Sequence, residues 1–279
     1  MLSGEDCLRS RLHPSLVFFL CESPLTRLRC ASTARRFFLG SMNTISIVIP
    51  AYNEEKYIGP CLESCVRHKP ANVCEIIVID NASTDRTAHV AAGFAGVRVV
   101  HEPRKGLTSA RARGLKEAKG DLLAFIDADT RIPHGWFDRI NREFQRNAKL
   151  VCLSGPYDYF DLGAVKRGCV HMWWSMLAMP MYYATRYMVV GGNFVAKRAA
   201  LHSIGGFDTS IAFYGEDTNI ARRLHSAGKV KFSRRFRIHT SARRFESEGL
   251  FKIAAVYAAN FFSEAILHKP VTKSYRDIR

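Results

Sequence analysis

The chain has 279 residues, of which 47% are hydrophobic and 24% charged, the composition of an ordinary globular protein able to bury a sizeable core. Its 8 cysteines are scattered without a Cys-x-x-Cys pair, which excludes the common zinc-binding patterns and favours a reducing compartment. The formal net charge of +16 predicts a polyanionic partner: an anionic membrane surface, a phosphorylated substrate or a nucleic acid. Basic residues are dense over residues 222–252, but no nucleic-acid-binding motif accompanies them, so nucleic acid is the least favoured of the three.

Residues 1–41 differ in composition from the rest of the chain. They are rich in arginine and poor in carboxylates, and their apolar stretch at residues 16–21 is too short to span a bilayer. A signal peptide, an organellar transit peptide and a translation start at Met42 are the alternatives. We interpret residues 1–41 as a basic extension that is either disordered or a start-site artefact, in which case translation begins at Met42.

From residue 44 the chain alternates between strand and helix patterns. The predicted strands lie at residues 45–49, 75–79, 97–101 and 122–126, and the predicted helices at residues 54–68, 85–95 and 109–118. Regular alternation with apolar strands predicts an α/β fold with a Rossmann-like, mostly parallel sheet flanked by helices.

Polar residues follow three of the predicted strands. Asn53 and Glu54 come after the first strand, Asp80 after the second, and Asp127 and Asp129 after the fourth. Sheets of this kind bind ligands at the carboxyl ends of their strands. The sequence therefore predicts a binding site at this edge of the sheet.

Asp127 and Asp129 are two positions apart, so in an extended chain both carboxylates point the same way. Two such carboxylates repel each other unless a cation compensates. Hard oxygen ligands suit Mg²⁺ or Mn²⁺ held together with substrate phosphates. The alternative interpretation is an ordinary polar turn at the end of a strand.

Two later segments, residues 169–190 and 250–268, are long and apolar. Pro180 and Arg186 interrupt the first segment, and charged or polar residues interrupt the second. These interruptions favour interfacial or core helices over membrane-spanning ones.

Taken in order, the motifs of this chain resemble those of family 2 glycosyltransferases of the GT-A fold. Residues 46–55 resemble the first-strand motif, residues 75–87 the second-strand motif, and residues 106–114 the helix start that follows, although Ala112 stands where the family often has Asn. Asp127-Ala-Asp129 matches the DxD motif, and Gly191-Gly-Asn-Phe194, Gly205-Gly-Phe-Asp208 and Gly215-Glu-Asp217 resemble acceptor-side motifs. The resemblance implies a GT-A domain over residues 42–245 with an acceptor-side helical region. Residues 246–279 would form a C-terminal amphipathic helix and tail, packed on the domain or on a membrane.

The resemblance also implies a set of residues that bind a nucleotide-sugar donor: Pro50, Tyr52, Asn53, Glu54, Asp80, Gly106, Arg111, Asp127, Ala128, Asp129, Arg243 and Arg244. Asp129, Asp127 and His239 would hold a divalent metal, Mn²⁺ or Mg²⁺. For Arg111, Arg243 and Arg244 the alternative is a solvated basic face, and for His239 a structural role. Arg243 and Arg244 could equally bind a phosphate on a lipid-linked acceptor.

Asp217 is our candidate general base, with Glu216 second. An inverting transferase needs a carboxylate that takes the proton of the acceptor hydroxyl as the oxygen attacks the sugar. The alternative is a helix cap, because Asp and Glu favour the first turn of a helix.

These features predict a metal-dependent, inverting glycosyltransferase at the cytoplasmic face of a membrane. A UDP-sugar is the favoured donor and GDP-mannose the alternative; the acceptor is a sugar, a lipid-linked molecule or a small soluble one. A nucleotidyltransferase would carry a Gly-rich basic loop where residues 50–55 are acidic. A non-catalytic basic scaffold that binds membranes or nucleic acid would have no use for Asp80, Asp127, Asp129 and Asp217 together.

Overall fold

The computed structural model describes residues 42–211 and 215–249, together with positions 255, 256, 258–260, 263 and 272. The prediction for residues 1–41 lies outside the described residues, and so does most of the helix and tail predicted over residues 246–279. Residues 212–214, which precede Gly215, are also outside them.

The predicted alternation of strands and helices is confirmed in the first half of the described chain. The elements are β1 (Ile45–Ala51), α1 (Ile58–His68), β2 (Val73–Asp80), α2 (Thr87–Ala92), β3 (Val97–His101), α3 (Leu107–Glu117) and β4 (Leu122–Ile126). Helix α1 begins at Ile58, after the predicted start at Glu54. The reason is that Asn53 adopts φ 52° and the Glu54 N–H donates to Thr87 Oγ1 at 2.7 Å, which holds this stretch in a turn.

The second half contains strands β5 (Thr130–Arg131), β6 (Leu150–Ser154), β7 (Tyr157–Tyr159), β8 (Asn193–Lys197), β9 (Lys229–Phe232) and β10 (Ile238–Thr240). Its helices are α4 (Trp136–Arg146), α5 (Ala164–Trp173), α6 (Met179–Thr185), α7 (Arg198–Ser203), α8 (Glu216–Ala227) and α9 (Arg243–Glu248). A π-helical turn, Trp174–Ala178, joins α5 to α6. Helix α8 starts at Glu216, directly after a left-handed Gly215 with φ 84°.

Seven strands form the central sheet, in the order β3-β2-β1-β4-β8-β6-β9. The sheet is mostly parallel, as predicted, and β8 is its antiparallel strand, paired with β4 and β6. Because β8 runs backwards, Asn193 at its start pairs with Ile126 at the end of β4. The Gly191-Gly192 turn before β8 therefore lies beside Asp127.

Helices cover both faces of this sheet, which explains why β1 and β4 are buried along their whole length. Alternate residues of β1 belong to different cores: Ile47 packs in the cluster with Ile58 and Leu62 of α1, and Val48 packs in the cluster with Leu115 of α3. Each fully buried Ile or Leu contributes about 1.5–3 kcal/mol relative to an exposed one. The core thereby fixes the strand ends that carry the polar residues.

A second sheet of three short strands, in the order β5-β10-β7, adjoins the end of β4. Strand β10 pairs antiparallel with β5 and parallel with β7. Since β5 follows Asp129 directly, this small sheet brings late parts of the chain to the Asp127–Asp129 turn.

Residues 164–185 form one helical stretch made of α5, the π-helical turn and α6, which we call the α5–α6 segment. One side packs on the domain, where the Trp174 ring stacks on Phe232 with centroids 5.6 Å apart. Among the residues that the structure describes, no helix is both long enough and apolar enough to cross a membrane. The second long apolar segment, residues 250–268, lies mostly outside the described residues.

Candidate active site

The carboxyl ends of β1 and β2 form one wall of the site. Asp80 is buried at the end of β2, and its carboxylate lies 3.1 Å from His101 Nδ1 on β3. The neighbouring Asn81 accepts a hydrogen bond from the Gly106 N–H at 2.8 Å, which ties the loop before α3 to this edge. From that loop, Lys105 Nζ lies 3.9 Å from the centre of the Tyr52 ring. The structure thus brings Tyr52, Asp80 and Gly106 to one edge of the sheet.

Arg243 joins two of the predicted carboxylates. Its Nη2 lies 2.6 Å from Glu54 Oε1 and 3.0 Å from Asp129 Oδ2, and its guanidinium lies 4.5 Å from the centre of the Tyr57 ring. Burial by itself would lower the pKa of Arg243, but the hydrogen bond to Glu54 and the charge of Asp129 raise that pKa above its ordinary value. Arg243 is therefore a firmly charged partner of both carboxylates.

Arg111 is buried and lies between the donor-side and acceptor-side motifs. It is only 1% exposed, with Nη1 2.5 Å from Glu216 Oε1 and Nη2 3.7 Å from Asp127 Oδ1. The alternative that Arg111 belongs to a solvated helix face is therefore wrong. Its guanidinium fork faces two carboxylates from different parts of the chain, and Arg geometry suits such a bridge.

The Gly191-Gly192 turn packs directly on this bridge. A methyl group at Gly192 would lie 2.0 Å from Asp127 Oδ2, and one at Gly191 would lie 2.6 Å from Glu216 Oε1. Both distances are far below van der Waals contact, so only glycine lets the backbone approach these carboxylates so closely.

Two hydroxyl groups from the small sheet hold the aspartates, and neither was predicted. The Tyr157 hydroxyl donates to Asp127 Oδ2 at 2.8 Å and accepts a hydrogen bond from the Gly192 N–H at 2.9 Å. Thr240 Oγ1 donates to Asp129 Oδ1 at 3.4 Å. Tyr157 and Thr240 lie on strands too short to predict from periodicity, so the sequence carried no signal for their contacts.

His239 does not join the aspartates. It lies on β10 next to Thr240, and adjacent strand residues point to opposite faces. His239 Nε2 instead lies 3.9 Å from Asp158 Oδ2, and His171 Nε2 lies 3.4 Å from the other oxygen of that carboxylate. Within the described residues, no group of three or more His, Cys, Asp or Glu side chains is arranged to hold a metal ion.

Asp127 and Asp129 nevertheless suit a cation completed by substrate. Both carboxylates are contacted from the small sheet, by Tyr157 and Thr240. Mg²⁺ and Mn²⁺ are commonly held by one or two carboxylates, with the other ligands supplied by substrate phosphates and water. The donor set of the two aspartates fits that chemistry.

Glu216 and Asp217 open helix α8 after Gly215. Burial raises the pKa of Glu216, although the nearby charge of Arg111 opposes the shift. Burial and, second, the charge of Glu216 raise the pKa of Asp217 to about 7. Asp217 Oδ1 also accepts a hydrogen bond from the N–H of the next residue, Thr218, at 2.8 Å, whereas the N-cap position of α8 is Gly215.

A cavity of about 220 Å³ adjoins Asp129 and Arg243. Lys56, Arg131 and Phe160 line it as well, and the Arg131 guanidinium lies 4.3 Å from the centre of the Phe160 ring. Arg244, the second residue of the predicted basic pair, is half-buried in α9 beside Arg243. The cavity therefore combines a carboxylate with cationic side chains that suit an anionic ligand.

The profile of the family described as glycosyl transferase family 2 matches residues 46–205, more than half of the chain. Among curated proteins, the uncharacterized glycosyltransferase EpsJ of Bacillus subtilis (strain 168) is 34% identical over 117 residues, which are 40% of this chain and 34% of that protein. Glucosyl-3-phosphoglycerate synthase of Mycolicibacterium paratuberculosis (strain ATCC BAA-968 / K-10) is 38% identical over 102 residues, 34% of this chain and 31% of that protein. The matched region spans about a third of each of these two relatives.

Solved structures confirm the predicted GT-A fold. The mannosyltransferase PcManGT from Pyrobaculum calidifontis, in complex with GDP-Man and Mn²⁺, has a TM-score of 0.62 at 19% identity, over 82% of this chain and 65% of that one. Glucosyl-3-phosphoglycerate synthase from Mycobacterium tuberculosis, in complex with Mn²⁺, UDP and phosphoglyceric acid, has a TM-score of 0.54 at 22% identity, over 81% of this chain and 78% of that one. Identities this low establish the shared fold.

Proposed function

The chain belongs to glycosyl transferase family 2, and from that premise we propose that it is a metal-dependent, inverting transferase. It would move a sugar from a nucleoside-diphosphate donor to a hydroxyl or phosphate acceptor. The observation that carries the proposal is the buried Arg111, which connects Asp127 of the DxD turn to Glu216 beside the candidate base. A single side chain thereby couples the donor-side carboxylate to the acceptor-side pair.

The donor nucleoside would bind at the ends of β1 and β2, where Pro50, Tyr52, Asn53 and Asp80 lie. A buried carboxylate such as Asp80 accepts an N–H from the edge of a pyrimidine or a guanine, so this residue is compatible with UDP and with GDP. A UDP-sugar is the favoured donor and GDP-mannose the alternative. Of the two structural neighbours, one is a complex with GDP-Man and the other a complex with UDP, which supports both donors as candidates.

Asp129 and Asp127 would hold Mn²⁺ or Mg²⁺ together with the donor diphosphate, with Ala128 as the spacer between them. A divalent cation bound there neutralises charge on the departing diphosphate. Arg243 places a second positive charge beside Asp129, with Arg244 next to it in α9. His239 is not part of this proposed site, because Thr240 is the residue of β10 that contacts Asp129.

Asp217 would take the proton from the acceptor hydroxyl while that oxygen bonds to the anomeric carbon and the bond to the donor phosphate breaks. A pKa of about 7 leaves a substantial ionised fraction at neutral pH and makes the carboxylate a better base than an ordinary Asp. Glu216 is the weaker candidate because Arg111 holds it at 2.5 Å.

Nucleotide binding tests the donor site. At a hundredfold excess over the dissociation constant, UDP or GDP with Mn²⁺ should stabilise the protein by about 2.7 kcal/mol. Asp129→Asn should lose the Mn²⁺-dependent part of this stabilisation in a thermal-shift assay, whereas Asp138→Asn, at an exposed position of α4, should keep it. A full Mn²⁺-dependent shift in Asp129→Asn would remove Asp129 from the metal site.

Transfer kinetics test the base. Asp217→Asn should keep the nucleotide-dependent thermal shift. Its turnover should fall about 10²–10⁴-fold, because general-base catalysis typically accelerates a reaction by that factor. A variant that retains turnover would show that another group accepts the proton, with Glu216 the next to be replaced.

We also propose that the protein works at the cytoplasmic face of a membrane. The net charge of +16 supports this location, since anionic lipids attract basic proteins.

A further inference from the structure

The α5–α6 segment has an exposed apolar face. Val165 is 82% exposed and Met176 is 67% exposed, and three further large hydrophobic side chains are exposed on the same segment: Met172, Leu177 and Tyr183. Val165, Met172 and Met176 follow one another at spacings of seven and four residues, which is the spacing of one side of a helix. Outside the segment, the exposed large hydrophobic residues of the described chain are Met42 and Val66, which are far apart in sequence. Among the described residues, the exposed apolar surface is thus concentrated on this one segment.

The opposite side of the segment is anchored in the domain, so this face has a fixed direction. Trp174 stacks on Phe232, and the Tyr182 hydroxyl donates to the Val230 carbonyl oxygen at 3.5 Å. Ala178 is buried in the same cluster. One side of the segment therefore packs on the domain, whereas Val165, Met172 and Met176 face outward.

The charged residues of the segment itself have one sign. Residues 164–186 contain no Asp or Glu, while Lys166 and Arg186 are exposed near the two ends of the segment. The preceding carboxylates are engaged: Asp161 accepts hydrogen bonds from Ser241 and the Ala242 N–H, and Asp158 faces His171. An apolar surface with cations at its ends suits a bilayer that contains anionic lipid, because the apolar side chains can enter the membrane interface while the cations contact lipid phosphates.

The face also lies next to the candidate active site along the chain. Strand β7, which leads into the segment, carries Tyr157, and the Tyr157 hydroxyl holds Asp127. His171 of the segment faces Asp158, the next residue of the same strand. Contact with a membrane at the segment would therefore bring lipid close to the candidate active site.

We propose that the outward face of the α5–α6 segment docks on a bilayer containing anionic lipid, and that the acceptor is accordingly carried by a membrane lipid. Docking is independent of the donor site, whereas the identity of the acceptor rests on the proposed transferase function. The segment lies along the interface, with its apolar side chains among the lipid headgroups and acyl chains and its cations at the phosphates.

Vesicle co-sedimentation of the full chain tests the docking. Wild-type protein should sediment with phosphatidylcholine vesicles that contain phosphatidylglycerol, and less with phosphatidylcholine alone. Met176→Glu combined with Leu177→Glu should lower the partition coefficient by about tenfold, because the change removes apolar contact and adds charge repelled by the lipid. Val66→Glu, at an exposed apolar position on α1, is the matched control and should bind like wild type.

Three results would overturn the docking proposal. The first is wild-type protein that does not bind anionic vesicles, and the second is a double variant that binds them as well as the control. The third is a wild-type dimer in light scattering that the double variant converts to a monomer, which would assign the face to a second copy of this chain. The UDP and GDP thermal shifts of the same variants should equal those of wild type, and this separates a failure of docking from a failure of the donor site or of folding.

Discussion

At the scale of single residues, the candidate site is a set of carboxylates held by buried or half-buried donors. Arg111 bridges Asp127 and Glu216, and Arg243 bridges Glu54 and Asp129. Buried carboxylates need such partners because an unpaired charge away from water is costly. The residue types at these positions were predictable from the motifs, but the pairings were not, since the partners are separated by long stretches of chain.

Tyr157 provides a test of this network with little change in shape. Tyr157→Phe removes the hydrogen bonds to Asp127 and to the Gly192 N–H while it keeps the ring. Since a hydrogen bond to a charged group contributes about 1.5–3 kcal/mol, we expect turnover to fall about tenfold to a hundredfold. We also expect a higher Mn²⁺ concentration for half-maximal rate.

The control for this measurement is Tyr183→Phe, which changes an exposed tyrosine of α6. It should leave the rate and the Mn²⁺ dependence as they are in wild type. If Tyr157→Phe also left both unchanged, the Tyr157 hydroxyl would have no part in positioning Asp127.

At the scale of elements, the antiparallel strand β8 decides the geometry of the site. Its register places Asn193 opposite Ile126 and so puts the Gly191-Gly192 turn against the end of β4. The first four strands and three helices were predicted from apolar periodicity, because each buries a long run or a regular stripe. The short strands β5, β7 and β10 were not predicted, since two or three residues carry too little pattern, and their existence depends on pairing with each other.

Gly192→Ala should therefore lower turnover more than it lowers stability. The added methyl group would lie 2.0 Å from Asp127 Oδ2 and 2.3 Å from the Tyr157 hydroxyl, so the turn or the carboxylate must move. We expect turnover to fall by about a hundredfold, because misplacement of a catalytic group by about 1 Å has that effect. Steady-state kinetics with thermal melting would measure both consequences.

Gly168→Ala is the matched control, because no atom lies within 4 Å of the added methyl group in α5. Alanine is favoured over glycine inside a helix by up to about 1 kcal/mol, so this variant should be at least as stable as wild type and equally active. Equal turnover in Gly192→Ala and Gly168→Ala would contradict the close packing of the turn on Asp127.

At the scale of the whole molecule, buried acids link stability to pH. The pKa of Asp217 is raised from 3.8 to about 7 by burial and by the charge of Glu216. A folded state with a raised pKa binds the proton more tightly than the unfolded state does. The resulting stabilisation is fully present below about pH 4 and is lost as the pH rises through about 7.

Urea unfolding of wild type and Asp217→Asn can measure this linkage. Because Asn does not titrate, the free energy of unfolding of wild type should fall steadily relative to the variant from about pH 4 to about pH 7 and level off above the folded-state pKa of about 7. Turnover of wild type should rise over the same pH range, since the general base acts as the carboxylate. A constant difference in stability between the two proteins from pH 4 to 8 would mean that Asp217 has an ordinary pKa in the folded state.

The sequence by itself determined the fold class, the order of the motifs and the edge of the sheet where the carboxylates collect. The reason is that apolar periodicity is a local property, and the alternation of strands and helices that it reveals implies parallel strands. Only the tertiary structure decided that Arg111 is buried between Asp127 and Glu216, and that Thr240, in place of His239, faces Asp129. It also decided which side of the α5–α6 segment faces outward. The physical reason is the same in each case: these contacts join elements distant in sequence, and strand register and side-chain packing, which set them, leave no local pattern.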